Sequence, residues 1–182
     1  MKNTIITLLL LFSFNLIAQD EELYKRELPV NESGKIEMSS VFECPGKNKD
    51  LLFLNIKTWV TQKYISSNGV IQLDDKEAGL FIIRVVNEYE DFMKYNQIQI
   101  IKFQVKDEKC KVTLSNIKLN YTYGGILVDD DIEKTIIEEM YKSNGKPNKG
   151  SKFHKEKLIE FWDLLNVELP VALNSNANKN DW

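Results

Sequence analysis

The stretch IEMSSVFECPGKNKDLLFLNIKTWV, residues 36–60, decides the fold. Its first nine residues alternate: Ile36, Met38, Ser40, Phe42 and Cys44 share one face, Glu37, Ser39, Val41 and Glu43 the other. Period two is that of a half-buried strand, and Pro45-Gly46 ends it. The period then changes. Leu52, Ile56, Trp59 and Val60 fall at i, i+4, i+7 and i+8, one stripe of a helix, with Asn48 or Asp50 placed to cap its first turn. Lys49, Asn55, Lys57 and Gln62 read as the wetter side. The helix fades near Tyr64, and Ser66-Ser67-Asn68-Gly69 reads as a turn.

Strand-like runs follow at Val70–Leu73 and Leu80–Asn87, joined by Asp74-Asp75-Lys76-Glu77-Ala78-Gly79, where Gly79 supplies the positive φ of a hairpin turn. Glu88 to Asn96 is polar and aromatic and reads as a looser connection. Gln97–Lys106 and Cys110–Tyr121 form a second hairpin around Asp107-Glu108-Lys109. In the first of these strands the apolar phase moves between Ile100 and Ile101. In the second it moves from Cys110, Val112 and Leu114 to Ile117, Leu119 and Tyr121. A one-residue phase shift is what a β-bulge produces. The fold class predicted is α+β, a bent antiparallel sheet with helices packed on one face and Trp59 in the core.

Beyond Gly124-Gly125 the pattern becomes helical. Asp129-Asp130-Asp131 precedes Ile132, Ile136 and Met140, as acidic residues precede a helix whose N-terminus they favour. A longer amphipathic helix is predicted from Phe153 to Leu169, its stripe Leu158, Phe161, Trp162, Leu165 and Leu169 apolar enough to require cover. Pro170 is expected to end or kink it.

The other end of the chain carries an address. Lys2, an apolar run from Thr4 to Phe14, then Ala18-Gln19 before Asp20-Glu21-Glu22 is the layout of a cleaved secretory leader. The run is short for a spanning helix, which needs about 20 apolar residues. The division expected is 1–18 signal peptide, 19–35 loose leader, 36–123 α+β domain, 124–173 C-terminal helical extension and 174–182 polar tail. The protein is therefore expected outside the cytoplasm, in the periplasm or beyond, with no integral membrane segment after cleavage. Hydrophobic content of 43% and charged content of 28% are those of a globular chain. A net charge of −3 gives no overall electrostatic footprint for nucleic acid.

The order strand, helix ending in Trp, and two tight hairpins behind a leader resembles the exported bacterial family known as domain of unknown function 4468. The residues that carry the resemblance are Lys49-Asp50-Leu51-Leu52 and Trp59 in the helix, Asp75-Lys76-Glu77-Ala78-Gly79 at the first hairpin and Lys106-Asp107-Glu108-Lys109 at the second. It spans about Ile36 to Thr122. It implies a TBP-like fold and no activity. The ending Leu16-Ile17-Ala18-Gln19 resembles leaders common in Bacteroidetes, where the family is concentrated. DNA binding does not transfer with the fold, because sites and not folds carry function.

Residues with chemical potential are few. No catalytic, cofactor or metal residues are assigned. His154 is the single histidine, lies among Lys152, Lys155 and Lys157, and reads as an exposed surface residue. One histidine and two separated cysteines cannot make a usual zinc site. Asp129 to Asp131 lack the spacing of a calcium loop, and Gly124-Gly125 is too short for a phosphate loop. Cys44 and Cys110 are an even pair in a compartment that permits disulfides; each is in phase with the covered face, and a bridge and two buried thiols weigh equally. Tyr89, Phe92, Tyr95, Tyr121 and Tyr123 gather at connections and form the candidate interaction surface.

Two functions remain. The first is an exported, non-catalytic binding or interaction module for a protein, peptide or glycan, acting through the open sheet face or the last helix. The alternative is a small exported hydrolase using paired carboxylates drawn from Asp74, Asp75 and Asp129 to Asp131, which must meet in one cleft.

Overall fold

The computed structural model describes residues 26–64, 70–90 and 94–175. The expected leader and its cleavage point, the turn at Ser66–Gly69, Phe92 and most of the polar tail lie outside them. The elements are β1 (Met38–Glu43), α1 (Lys49–Lys63), β2 (Ile71–Asp75), β3 (Leu80–Glu90), β4 (Lys94–Lys106), β5 (Lys109–Tyr123), β6 (Ile126–Asp131), a π-helical turn (Lys134–Glu138) and α2 (Lys149–Asn174). The strands form one antiparallel sheet in the order β1-β5-β4-β3-β2, and β6 also pairs with β5. Both helices lie on one face, as expected of this α+β class.

β1 and β6 share one side of β5. β1 lies opposite Lys109–Leu114 and β6 opposite Lys118–Tyr123. The change of partner occurs at a bulge. Ile98 faces Lys118 and Ile100 faces Ser115, so β5 takes three steps where β4 takes two. Asn116 sits in this interval with φ 51, a left-handed conformation that Asn tolerates better than most residues. The buried parity accordingly passes from Cys110, Val112 and Leu114 to Ile117 and Leu119, as the sequence predicts.

The matching shift expected in β4 is absent. Tyr95, Gln97, Gln99, Ile101, Phe103 and Val105 are all buried in one unbroken alternation. Gln97 and Gln99 occupy core positions, and Gln97 Nε2 donates to Gln99 Oε1 at 2.8 Å. Two buried amides disguise the phase. Pairing also runs further than expected: β3 reaches Glu90 and β4 starts at Lys94, so 88–90 and 94–96 are paired strand rather than loose connection. Residues 126–131 are likewise a sixth strand and not the start of a helical extension. Ile132, Ile136 and Met140 are buried after it.

Local chemistry explains α1. Asn48 Oδ1 accepts from Leu51 N at 2.9 Å, so Asn48 and not Asp50 is the cap of the two candidates. The tips of both hairpins grip the same helix start. Asp107 Oδ1 accepts from Lys49 N at 2.7 Å, and Lys49 Nζ donates to Glu77 O at 2.9 Å. Glu108 Oε1 accepts from Gly46 N at 2.9 Å. Gly79, at φ +66, has Val105 O only 2.2 Å from where a Cβ would stand. These turn residues are the ones that carry the family resemblance, and their role is structural.

The buried stripe of α1 is Leu52, Phe53, Ile56 and Val60, with Asn55 also buried. Phe53 meets Phe81 edge-on at 5.6 Å. Trp59, expected in the core, is half-buried at its margin, 6.3 Å from the rings of Phe103 and Tyr64. The stripe runs one residue closer to Phe53 than an ideal reading from Trp59 places it.

α2 continues through Pro170 to Asn174 instead of ending there. A mid-helix proline forfeits one backbone hydrogen bond. Leu169 and Leu173, on either side, are fully buried, and Asn55 Nδ2 donates to Leu173 O at 2.9 Å. Packing and capping offset the proline. Residues 26–35, expected to be loose, are also docked. Arg26 Nη1 donates to both carboxylate oxygens of Asp163 on α2 at 2.8 and 2.9 Å, Leu28 packs on the core, and Val30 pairs with Ile36.

Candidate functional site

Strand register assembles the aromatic cluster. Tyr89 faces Tyr95 across β3–β4, Tyr95 faces Tyr121 across β4–β5, and Tyr121 faces Val128 across β5–β6. Residues directly opposite in an antiparallel pair lie on the same face, so four strands present one row. The rings of Tyr89 and Tyr95 stack at 5.5 Å and 29°.

The end of this row opens into a pocket of about 340 Å³ lined by Tyr95, Leu119, Tyr121, Tyr123, Val128 and residues of the helical layer. Tyr95 and Leu119 are its buried floor, and Tyr123 is an exposed rim. The start of α2 closes one side. Phe153 stands edge-on to Tyr95 at 5.7 Å, and His154 edge-on at 4.4 Å. Thr135, Glu139, Asn148 and Ser151 add polar groups to the lining.

The loop before α2 fixes this wall. Asn148 N donates to Met140 O at 2.8 Å, Asn148 Oδ1 accepts from Gly150 N at 3.2 Å, and Ser151 Oγ donates to Glu139 O at 3.0 Å. Burial raises the Tyr121 hydroxyl above its ordinary pKa, with Asp130 and then Glu139 adding to it and Lys134 opposing. Tyr89 is raised by burial first and by Glu160 second. Both phenols are therefore neutral hydrogen-bonding groups at physiological pH.

Of the five aromatic residues singled out in the sequence, Tyr95, Tyr121 and Tyr123 line the pocket. Tyr89 supports Tyr95 from behind, and Phe92 lies outside the described residues. His154 is a wall of this pocket and half-buried, not an exposed surface residue. Sequence reasoning missed it because its charged neighbours share a helix, not a face. The signal for the row was present: Tyr89 and Tyr95 lie three residues either side of Phe92, as partners across a hairpin do.

The candidate carboxylates are not brought together. Asp74 and Asp75 lie on β2 and Asp129 to Asp131 on β6, with β3, β4 and β5 between. At about 4.8 Å per strand that separation is near 19 Å, against the roughly 5–9.5 Å that paired glycosidase carboxylates span. Each is engaged locally: Asp74 with Lys57 at 2.5 Å, Asp75 as acceptor from Ala78 N at 2.9 Å, Asp129 with Lys118 at 3.4 Å, Asp130 with Lys134 at 3.1 Å and Asp131 with Lys35 at 2.5 Å. The Lys35 hydrogen bond holds the Asp131 carboxyl below its usual range. Among the described residues no three His, Cys, Asp or Glu side chains gather as a metal set.

Cys44, one residue past β1, and Cys110, on the neighbouring β5, are free, buried thiols. Phe42, not Cys44, is the residue facing Cys110. Cys44 is thus diagonal to Cys110, where Cβ separations run to about 7 Å, beyond the roughly 3.5–4.5 Å of a disulfide.

The fold defines a class first: an open antiparallel α+β sheet carrying its helices on one face, of the TBP-like type. A family model then gives a more specific likeness. Residues 39–120 match domain of unknown function 4468, described as having a TBP-like fold, the family that the turn residues resemble. Among solved structures, the chain is similar to a TBP-like protein from Parabacteroides distasonis ATCC 8503 (TM-score 0.67, 19% identity, covering 83% of this chain and 99% of that one). It is also similar to a DUF4468 family protein from Bacteroides ovatus ATCC 8483 (TM-score 0.62, 17% identity, covering 84% and 93%). At these identities the likeness is one of fold. No curated protein matches the sequence.

Proposed function

We propose that this protein is an exported, non-catalytic binding module whose ligand site is the tyrosine pocket, and that the ligand is a glycan end. The observation that carries the reading is the row Tyr89–Tyr95–Tyr121, which ends in a preformed pocket with Tyr123 exposed at its mouth. Its size is within the range of small-ligand sites, about 300–1,000 Å³. Aromatic faces pack on the apolar faces of a sugar ring, while Thr135, Glu139, Asn148 and His154 supply donors and acceptors for hydroxyls. The separation of the carboxylates across the sheet favours binding over the hydrolase alternative. Export rests on the leader-like first 18 residues.

Saturation-transfer NMR with panels of neutral oligosaccharides and of aromatic-containing peptides tests this. Transfer to an oligosaccharide, lost in Tyr123→Ala, is expected. Transfer to peptides alone would replace glycan by peptide in the same site, and transfer that survives Tyr123→Ala would move the site elsewhere.

A further inference from the structure

The face of the sheet opposite the helices is divided by charge. Near the Glu90 end of β3 and along β5–β6 its cations are neutralised: Lys94 lies 3.9 Å from both Glu88 and Glu90, and Lys118 lies 3.4 Å from Asp129. Towards the β4–β5 turn they are not. Lys102 faces Ile82 and Thr113, Arg84 faces Ile100, Lys111 faces Gln104 and Val41, and Lys106 faces Lys109. Arg84, Lys102, Lys111 and Lys106 are therefore successive diagonal neighbours on one face, about 7–8 Å apart. None makes an ion pair among the described residues; Lys109 alone in this half does, with Glu43 at 2.8 Å. Like charges so placed oppose folding, and they stand on a chain whose overall charge is −3.

The surroundings of these cations are aliphatic. Ile82 and Ile100 lie between them half-buried, and Val41 and Val86 are exposed beside them. Val41, Leu80, Gln104, Lys106, Lys109 and Lys111 line a shallow depression of about 660 Å³ at the basic end. Among the described residues no aromatic side chain lies on this face, since Phe81, Tyr89, Tyr95, Phe103 and Tyr121 all belong to the covered one.

We propose that this half of the open face is a peripheral docking site for an anionic lipid surface. Cations interleaved with aliphatic side chains are what such a surface takes, through headgroup charge and a shallow apolar contact. Mobile headgroups adjust to the spacing that the strands impose, so no deep pocket is needed. The lack of aromatic anchors, with a single arginine, disfavours a protein partner, whose binding centres on such residues. The lack of stacking rings disfavours single-stranded nucleic acid.

The test is sedimentation of the full chain with phosphatidylcholine vesicles, plain or with roughly a third phosphatidylglycerol. The apolar run Thr4–Phe14 contributes to both, so the readout is the anionic-to-neutral ratio of binding. A ratio well above one that falls with added salt is expected. K102E/K106E/K111E should lower it by about tenfold or more, K102R/K106R/K111R should keep it, and circular dichroism establishes that each variant is folded. A ratio near one, an unchanged ratio in the folded glutamate variant, or charge-dependent binding to soluble polyglutamate or duplex DNA in place of the anionic vesicles would each overturn the proposal.

Discussion

The Asn55 side chain, on the first helix, donates a hydrogen bond of 2.9 Å to the Leu173 carbonyl at the end of the second. The same nitrogen reaches Ser175 O at 2.8 Å. The last carbonyls of a helix lack intrahelical donors, and here a neighbouring helix supplies one. Lys63 and Glu168 add an ion pair between the two helices. Asn55→Ala should cost about 1–3 kcal/mol, as loss of a buried hydrogen-bonding group does, and should loosen the end of α2 first. Urea titration measures the first effect and amide exchange at 170–175 the second; an unchanged midpoint would show that the contact is incidental.

Gly79 tests the clasp of the hairpin tip on β4. Alanine there would meet both a left-handed φ and the Val105 carbonyl at 2.2 Å. Gly79→Ala should destabilise by at least about 2 kcal/mol. A thermal midpoint equal to that of the parent would mean that the turn relaxes freely.

Core position separates two aromatics that the sequence treats alike. Phe103 is fully buried and Trp59 half-buried. Phe103→Ala should cost roughly 3–5 kcal/mol and Trp59→Ala only about 2. Denaturant titration of both variants gives the order directly, and the reverse order would place the centre of the core under α1's C-terminal end.

The cysteines give a pH dependence. Burial, and then Cys44 beside it, pushes the Cys110 thiol up to about 12; burial, more than any charge, also raises Cys44. Between pH 9 and about 12 the unfolded chain has released the Cys110 proton and the folded chain has kept it. Unfolding then releases a proton, so stability falls as pH rises, by up to about 1.4 kcal/mol per pH unit for that thiol. Alkylation of the folded protein without reductant should be slow, and after denaturation should label both thiols. Failure to label either thiol without prior reduction would establish a bridge.

Much of the architecture was legible because local chemistry agreed with the fold. The alternation of Ile36 to Cys44, the Asn48 cap, the Gly79 turn and the parity change in β5 each point to the element that forms. What was hidden was hidden by polar residues in buried positions. Gln97 and Gln99 interrupt the apolar period of β4, and Asn55 reads as a surface residue until α2 is placed over it. Asp129 to Asp131 resemble a helix start because their acidic side chains mask the pairing with Lys118 to Asn120 across the Gly124-Gly125 turn. The tyrosine pocket was legible only as a list of rings; register makes it a row, and the wall containing His154 comes from a helix thirty residues further on.

Everything proposed for the covered face rests on the tyrosine row ending in a ligand site. The most direct measurement is an NMR titration of the full chain carrying ring-labelled tyrosine with the neutral oligosaccharide panel. Saturable shifts of Tyr121 and Tyr123 are expected, with smaller ones at Tyr95 and none at Tyr64, which lies by Trp59 away from the pocket. No tyrosine shift with any oligosaccharide that binds, or shifts confined to Tyr64, would contradict it.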